Sequence, residues 1–153
     1  MQPAKLVLVG PVFDSGIRAE LEELTVKNAA ISLRAQVPSD EVVKTLRSFD
    51  ILCLPSELPE TFSLTLHEGF AAGLPCLVSD IGNLGSVVRA SGCGATVPAG
   101  DLDAWEAAMR RVLEEPAIVE RWKIKSPTPM RLEEEAFFCD QLYRRAQLSR
   151  QRV

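Results

Sequence analysis

Ile51-Leu52-Cys53-Leu54-Pro55-Ser56-Glu57-Leu58-Pro59-Glu60-Thr61-Phe62-Ser63-Leu64-Thr65-Leu66-His67-Glu68-Gly69-Phe70-Ala71-Ala72-Gly73-Leu74-Pro75 reads as a strand, a loop and a helix in direct succession. The apolar run Ile51–Leu54 has the length and composition of a buried strand. Glu60 follows in a loop, the pattern predicts a helix over Phe62–Ala72, and Glu68 places a second carboxylate on that helix. A strand end, a helix N-terminus and two acids on one short segment are the parts of a site for a phosphorylated sugar. Diphosphate can sit on the free N–H groups where a helix begins. An ionised carboxylate offers only acceptors, so the acids suit sugar hydroxyls.

Working outward, the same alternation continues in both directions. Upstream, Lys5–Val9 is a short strand ending at Gly10-Pro11, and Gly16–Lys27 is a helix with Ile17, Leu21 and Leu24 at helical spacing. Ala30–Ala35 reads as a second strand. Pro38-Ser39-Asp40-Glu41 reads as a helix start, with Ser39 as the cap and Val42, Val43 and Leu46 as the apolar stripe. Downstream, Leu74–Ser79 is a strand that turns at Asp80-Ile81-Gly82-Asn83, a short helix follows near Leu84–Ala90, and Gly94–Val97 is a fifth strand. Asp101 or Asp103 caps a helix running to Glu115, Pro116 breaks it, and a further short helix reaches Lys123. After the loop Ser126-Pro127-Thr128-Pro129, Met130–Leu148 is a final amphipathic helix. The strands are continuously apolar, as they are when both faces of a sheet are covered. The expectation is an α/β, doubly wound, mainly parallel five-stranded Rossmann-like sheet with a C-terminal helical extension. Residues 1–125 form the sheet domain, and residues 126–153 form a loop and an amphipathic helix packed on it.

Composition narrows the function classes. The chain has 153 residues, is 46% hydrophobic and 25% charged, and carries a net charge of −4. That describes one globular domain and argues against a nucleic-acid binder. The basic residues Arg144, Arg145, Arg150 and Arg152 near the end read as a solvated tail. No apolar run approaches the ~20 residues of a membrane helix. The opening Met1–Gly10 reads as a strand and not as a leader, so a cytoplasmic location is expected. Cys53, Cys76, Cys93 and Cys139 lack metal-ligand spacing and read as reduced thiols. His67 is the sole histidine, which leaves neither a histidine-rich metal site nor a Ser-His-Asp triad. Neither G-x-G-x-x-G nor G-x-x-x-x-G-K-[ST] occurs. The first strand leads into Gly10-Pro11 where a phospho-receiver domain needs acids.

Pro55-Ser56, Glu60-x-Phe62, Glu68, Ala72-Gly73-Leu74-Pro75 and Ser79-Asp80-Ile81-Gly82 together resemble the C-terminal, donor-binding half of the retaining group 1 glycosyltransferases of GT-B fold. That family carries a Glu-x7-Glu motif, and Glu60 and Glu68 have its separation. The resemblance covers about residues 5 to 115. It implies that Glu68 holds the ribose hydroxyls of a nucleotide sugar and that Glu60, the catalytic candidate, reaches the transferred sugar. It also implies that the backbone around Phe62, Ser63 and Leu64 receives the diphosphate, with the base near Gln36-Val37. The implied reaction is hexosyl transfer from a UDP- or GDP-sugar, which is a substrate; no cofactor or metal is implied.

The sequence also departs from the family. Ser63 stands at a usual glycine and Gly69 at a usual alanine, and no glutamate occurs near Leu84–Val87. The acceptor domain has no counterpart, nor does the donor half's first strand with its basic pair; Lys5 and Arg18 are poor substitutes. Removing that strand turns the family order into 2-1-3-4-5, with Leu6–Val9 paired directly to Ile51–Leu54. The alternative is that a partner chain fills the place, giving a homo-oligomer. The reading is therefore a nucleotide-sugar-binding half, inactive alone, either standing alone or paired with a separate acceptor-binding chain. The rival is a non-catalytic remnant that keeps the fold as an interaction module, binding through its final helix and basic tail.

Overall fold

The computed structural model describes residues 4–129 and 132–150; the helix start read at Met130 and the tail residue Arg152 lie outside them. Strands and helices alternate as β1 (Leu6–Val9), α1 (Ser15–Lys27), β2 (Ile31–Arg34), α2 (Val42–Leu46), β3 (Leu52–Leu54), α3 (Leu64–Ala71), β4 (Cys76–Ser79), α4 (Gly82–Ser91), β5 (Gly94–Val97), α5 (Leu102–Glu114), α6 (Pro116–Lys123) and α7 (Leu132–Arg150). Every strand pairing is parallel.

The helix boundaries follow from capping chemistry. Asp14 starts α1 by accepting from the Gly16 and Ile17 N–H groups at 2.8 and 2.9 Å. Of the two candidates for α5, Asp101 is the cap, accepting from the Ala104 N–H at 2.9 Å. Pro116 occupies the first position of α6, where a missing N–H costs no hydrogen bond. Ser39 does not cap α2. The Glu41 N–H bonds the Pro38 carbonyl at 2.9 Å, so Ser39 sits inside a tight turn and Glu41 precedes the helix. Helix α3 begins two residues later than its apolar pattern suggests, because Ser63 holds an extended backbone and its hydroxyl accepts from the Leu66 N–H.

Strand β4 is the centre of the core, and all four of its residues are buried. Cys76 and Val78 face Leu66 and Phe70 of α3 and Leu84 and Val88 of α4. Leu77 points the other way, toward Val97 and Trp105. This covering of both faces is why the strand reads as an unbroken apolar run. Gly69 lets α3 lie close on β3: a Cβ there would stand 2.6 Å from Leu52 Cδ2. The four cysteines are free. Burial pushes the Cys53 thiol up to about 11. The hydrogen bond with Cys93, and then burial, hold Cys76 well above the ordinary thiol range.

The fold is the expected α/β, Rossmann-like one, and the neighbours 2-1 and 3-4-5 of the expected order form, but the ladder between β1 and β3 does not. The strands divide into a β1–β2 pair and a β3–β4–β5 sheet, and no ladder joins Leu6–Val9 to Leu52–Leu54 among the described residues. α1 packs on β2, and α2, which follows β2, packs on α3, which follows β3, so the two strand groups are bridged through helices. The β1 layer is less covered than the rest. Leu6 and Val9 are 40% and 46% exposed. Along α7 the described side chains from Glu133 to Arg145 are exposed except Gln141, with Phe137, Phe138 and Tyr143 open to solvent. The packing expected of this helix on the sheet domain is not seen in those side chains.

Candidate functional site

Parallel sheets bind ligands outside the C-terminal ends of their strands, because there the loops and helix N-termini converge. In this chain the end of β3 opens into a hollow of about 510 Å³. Its floor is the strand exit, Leu54-Pro55-Ser56. One wall is Glu60, and the other is the start of α3, from Phe62 to Thr65. Glu60 is the only charged residue among these lining groups.

Ser63 shapes the helix start. Its hydroxyl takes the Leu66 N–H at 3.5 Å, and its carbonyl takes the His67 N–H at 3.3 Å. The Leu64 and Thr65 N–H groups occupy the first two helical positions, which have no acceptor inside a helix. Both residues line the hollow. The first turn thus offers donors and the positive end of the helix dipole.

His67 fixes the aromatic wall. Its Nδ1 lies 2.8 Å from the Ser63 carbonyl; a carbonyl only accepts, so Nδ1 carries the proton. The imidazole stacks on Phe62 with centroids 4.0 Å apart and meets Phe70 edge-on at 5.7 Å. This is a structural duty, and it leaves Phe62 as a positioned, 57% exposed ring at the rim. Ser56 is no free nucleophile: its hydroxyl donates to the Leu58 carbonyl at 3.0 Å and closes a local turn.

The structure brings Glu60, Phe62, Ser63 and Leu64 together around this hollow. It does not bring Glu68 or Val37 into the lining. Glu68 lies further along α3 and is half-buried, and Val37 lies half-buried in the segment after β2. The sequence reading missed Thr65, and it missed the way α4 touches the Glu60 loop. The Asn83 N–H donates to the Glu60 carbonyl at 3.2 Å. The only sequence signal for that contact is a glycine and an asparagine standing where α4 starts. Among the described residues no group of three or more His, Cys, Asp or Glu side chains is placed to hold a metal ion, and no helix is long and apolar enough to cross a membrane.

The fold is the one seen in GT-B glycosyltransferases. Sucrose-phosphate synthase from Thermosynechococcus elongatus superposes with a TM-score of 0.71 over 95% of this chain and 39% of that one, at 24% identity. Anabaena HepE, solved in complex with UDP, superposes with a TM-score of 0.67 over 80% of this chain and 35% of that one, at 15% identity. At such identities the likeness is one of fold. Sequence carries it further. The family model "Glycosyl transferases group 1" matches residues 1–128, and the chain belongs to that family. A phosphatidyl-myo-inositol mannosyltransferase of Mycobacterium leprae is 30% identical over 118 residues, which is 77% of this chain and 31% of that protein. A glycogen synthase of Mycobacterium tuberculosis is 37% identical over 81 residues, 53% of this chain and 19% of that protein. The chain thus spans a third or less of these two relatives.

Proposed function

We propose that this chain is the nucleotide-sugar-binding half of a group 1 glycosyltransferase, serving hexosyl transfer from a UDP- or GDP-sugar. The observation that carries this reading is the meeting of one carboxylate, Glu60, with the donor-rich first turn of α3 in a single hollow at the end of β3. In this reading the diphosphate takes the Leu64 and Thr65 N–H groups, and Glu60 accepts from hydroxyls of the transferred sugar. Glu68 and Val37 lie outside the hollow, and they are assigned to the ribose and the base by the family resemblance. No Lys or Arg lines the hollow. Departure of the diphosphate needs positive charge, and the acceptor needs a second surface. Both have to come from a separate acceptor-binding chain, from further sequence of the same protein, or from another copy. The chain alone therefore binds without turning over.

Calorimetric titration with UDP, GDP and their hexose conjugates tests the reading. A charge-assisted hydrogen bond contributes about 1.5–3 kcal/mol, so Glu60→Gln is expected to weaken sugar-nucleotide binding about ten- to a hundredfold. Absence of heat with every nucleotide at millimolar concentration refutes a working site. A second reading is favoured by the exposed Phe137, Phe138 and Tyr143 of α7: the fold is kept as an interaction module. In that case partner binding survives replacement of both Glu60 and Glu68 and is lost on replacing the α7 aromatics.

A further inference from the structure

An acid on a loop reads a sugar only if the loop backbone is held still, and the Glu60 loop is held from outside. Three contacts do so, all from the start of α4. The Asn83 N–H donates to the Glu60 carbonyl at 3.2 Å. The Asn83 side-chain Nδ2 donates to the next carbonyl, Thr61, at 3.0 Å. Gly82, at φ +51°, lies so close that a Cβ on it would stand 3.2 Å from the Glu60 carbonyl oxygen and 3.3 Å from the Glu60 nitrogen. A fourth contact supports the amide. The Ser86 hydroxyl, one helical turn on, stands 3.0 Å from the Asn83 carbonyl and 3.1 Å from Asn83 Oδ1, and its one proton is shared between them. The Thr61 carbonyl only accepts, so the amide presents its nitrogen to Thr61 and its oxygen to the Ser86 side. Main chain and side chain of one residue thus grip two successive carbonyls on the segment that carries Glu60.

We propose that Asn83 is a positioning residue for Glu60: it clasps the 60–61 backbone, with Ser86 supporting its amide, and so sets where the carboxylate meets the hydroxyls of a nucleotide-bound sugar. The inference rests on the nucleotide-sugar reading of the hollow. It adds a residue that contacts no ligand and acts through the loop.

The charge chemistry of Asn83→Asp separates positioning from mere support. Asp at this position keeps the size of Asn but cannot donate to the Thr61 carbonyl. It also puts a negative charge in the first turn of α4, where the helix dipole favours it. The fold is therefore expected to keep or gain stability while the clasp opens. The full chain is titrated with a UDP-hexose and a GDP-hexose, each against its own nucleoside diphosphate. Asn83→Asp and Asn83→Ala are expected to lower sugar-nucleotide affinity about two- to tenfold and to leave the nucleoside diphosphate unchanged, so the ratio of the two affinities falls. Ser86→Ala is expected to move the ratio the same way by less. In Glu60→Gln the further change Asn83→Asp is expected to add nothing, because the two act as one unit. Amide exchange over residues 57–63 is expected to quicken in the Asn83 variants.

An unchanged affinity ratio in Asn83→Asp overturns the proposal, as does an additive effect on top of Glu60→Gln. If the wild-type chain binds no nucleotide at all, the functional reading fails. The exchange data then decide the clasp alone: faster exchange over 57–63 in Asn83→Asp upholds it, and unchanged exchange removes it.

Discussion

Gly82→Ala puts the close approach of α4 to the Glu60 loop under direct strain. Gly82 sits at φ +51°, in the left-handed region, where an alanine costs about 1–2 kcal/mol. Its new Cβ would also stand 3.2 Å from the Glu60 oxygen, 3.3 Å from the Glu60 nitrogen and 3.4 Å from Pro59 Cα. All three are backbone atoms, so no side-chain rotation relieves the contact, and the loop or the helix start has to give by a few tenths of an ångström. For a domain of this size each kcal/mol shifts Tm by about 2–4 °C, which makes the expected fall about 2–8 °C. Sugar-nucleotide affinity is expected to fall with it, because the displaced backbone carries Glu60. Gly82→Asn divides the two causes. Asparagine accepts the left-handed conformation more readily but brings the same Cβ, so its Tm is expected above that of the alanine variant with a similar affinity loss. Thermal denaturation and calorimetry measure both. If Gly82→Ala matches the wild type in Tm and affinity, the approach of α4 to the loop is not what this argument requires. If both variants lose Tm equally, backbone strain is not the cause.

Two other outcomes follow from packing and titration. Gly69→Ala gains about 1 kcal/mol of helix propensity against the cost of turning aside Leu52 Cδ2, the movable end of a side chain, at 2.6 Å. The sum is expected near zero by urea denaturation, whereas Gly69→Val, with extra atoms directed at Leu52 and at Cys76 Sγ 3.7 Å from the Cβ, is expected to lose about 1–3 kcal/mol; an equally tolerated valine would show that α3 does not lie close on β3. Cys53 is raised by burial from 9.0 to about 11, so the folded chain keeps a proton that the unfolded chain releases: this contribution is complete below about pH 9 and drains away as pH rises toward about 11. At about pH 10 the loss is about 1.4 kcal/mol, and Cys53→Ala is expected to flatten the alkaline limb of a stability–pH profile by that amount; an unaltered slope would refute the assigned burial.

Much of the fold was legible because its signals are local. β4 reads as an uninterrupted apolar run, and its residues are buried from both sides. Asp14 and Asp101 bond amides two or three residues away, so the sequence itself carries those caps. The start of α3 was displaced because Phe62 continues the apolar periodicity, whereas the hydroxyl of Ser63 decides where the backbone turns helical. Strand pairing is another matter. Parallel neighbours share no tight turn, so nothing local says whether β1 meets β3, and the structure leaves them apart. The site divides in the same way. Glu60, Phe62, Ser63 and Leu64 are close in sequence and meet in space. Val37 could be judged only by tertiary geometry, and the Asn83 amide reaches Thr61 across 22 positions.

If the hollow takes a nucleotide sugar as proposed, its charge sets binding apart from transfer. Glu60 is the only acidic or basic residue that lines it. A carboxylate repels a phosphate that shares its site. The helix dipole returns only about 0.3–1 kcal/mol. A bare nucleoside diphosphate is thus a poor ligand for the hollow, and a sugar whose hydroxyls donate to Glu60 improves it. The preference is for the intact donor over the product. Transfer asks for the reverse, since the departing diphosphate gathers charge and has to be stabilised as it leaves. Arg89 is paired with Asp80, and Arg18 donates to the Val12 carbonyl at 3.0 Å. Enzymes lower such barriers by about 8–23 kcal/mol, far beyond one helix terminus. On the proposed reading, the positive charge therefore comes from outside the hollow, with an acceptor-binding chain, with further sequence of the same protein or with another copy, and release of the sugar waits on its arrival.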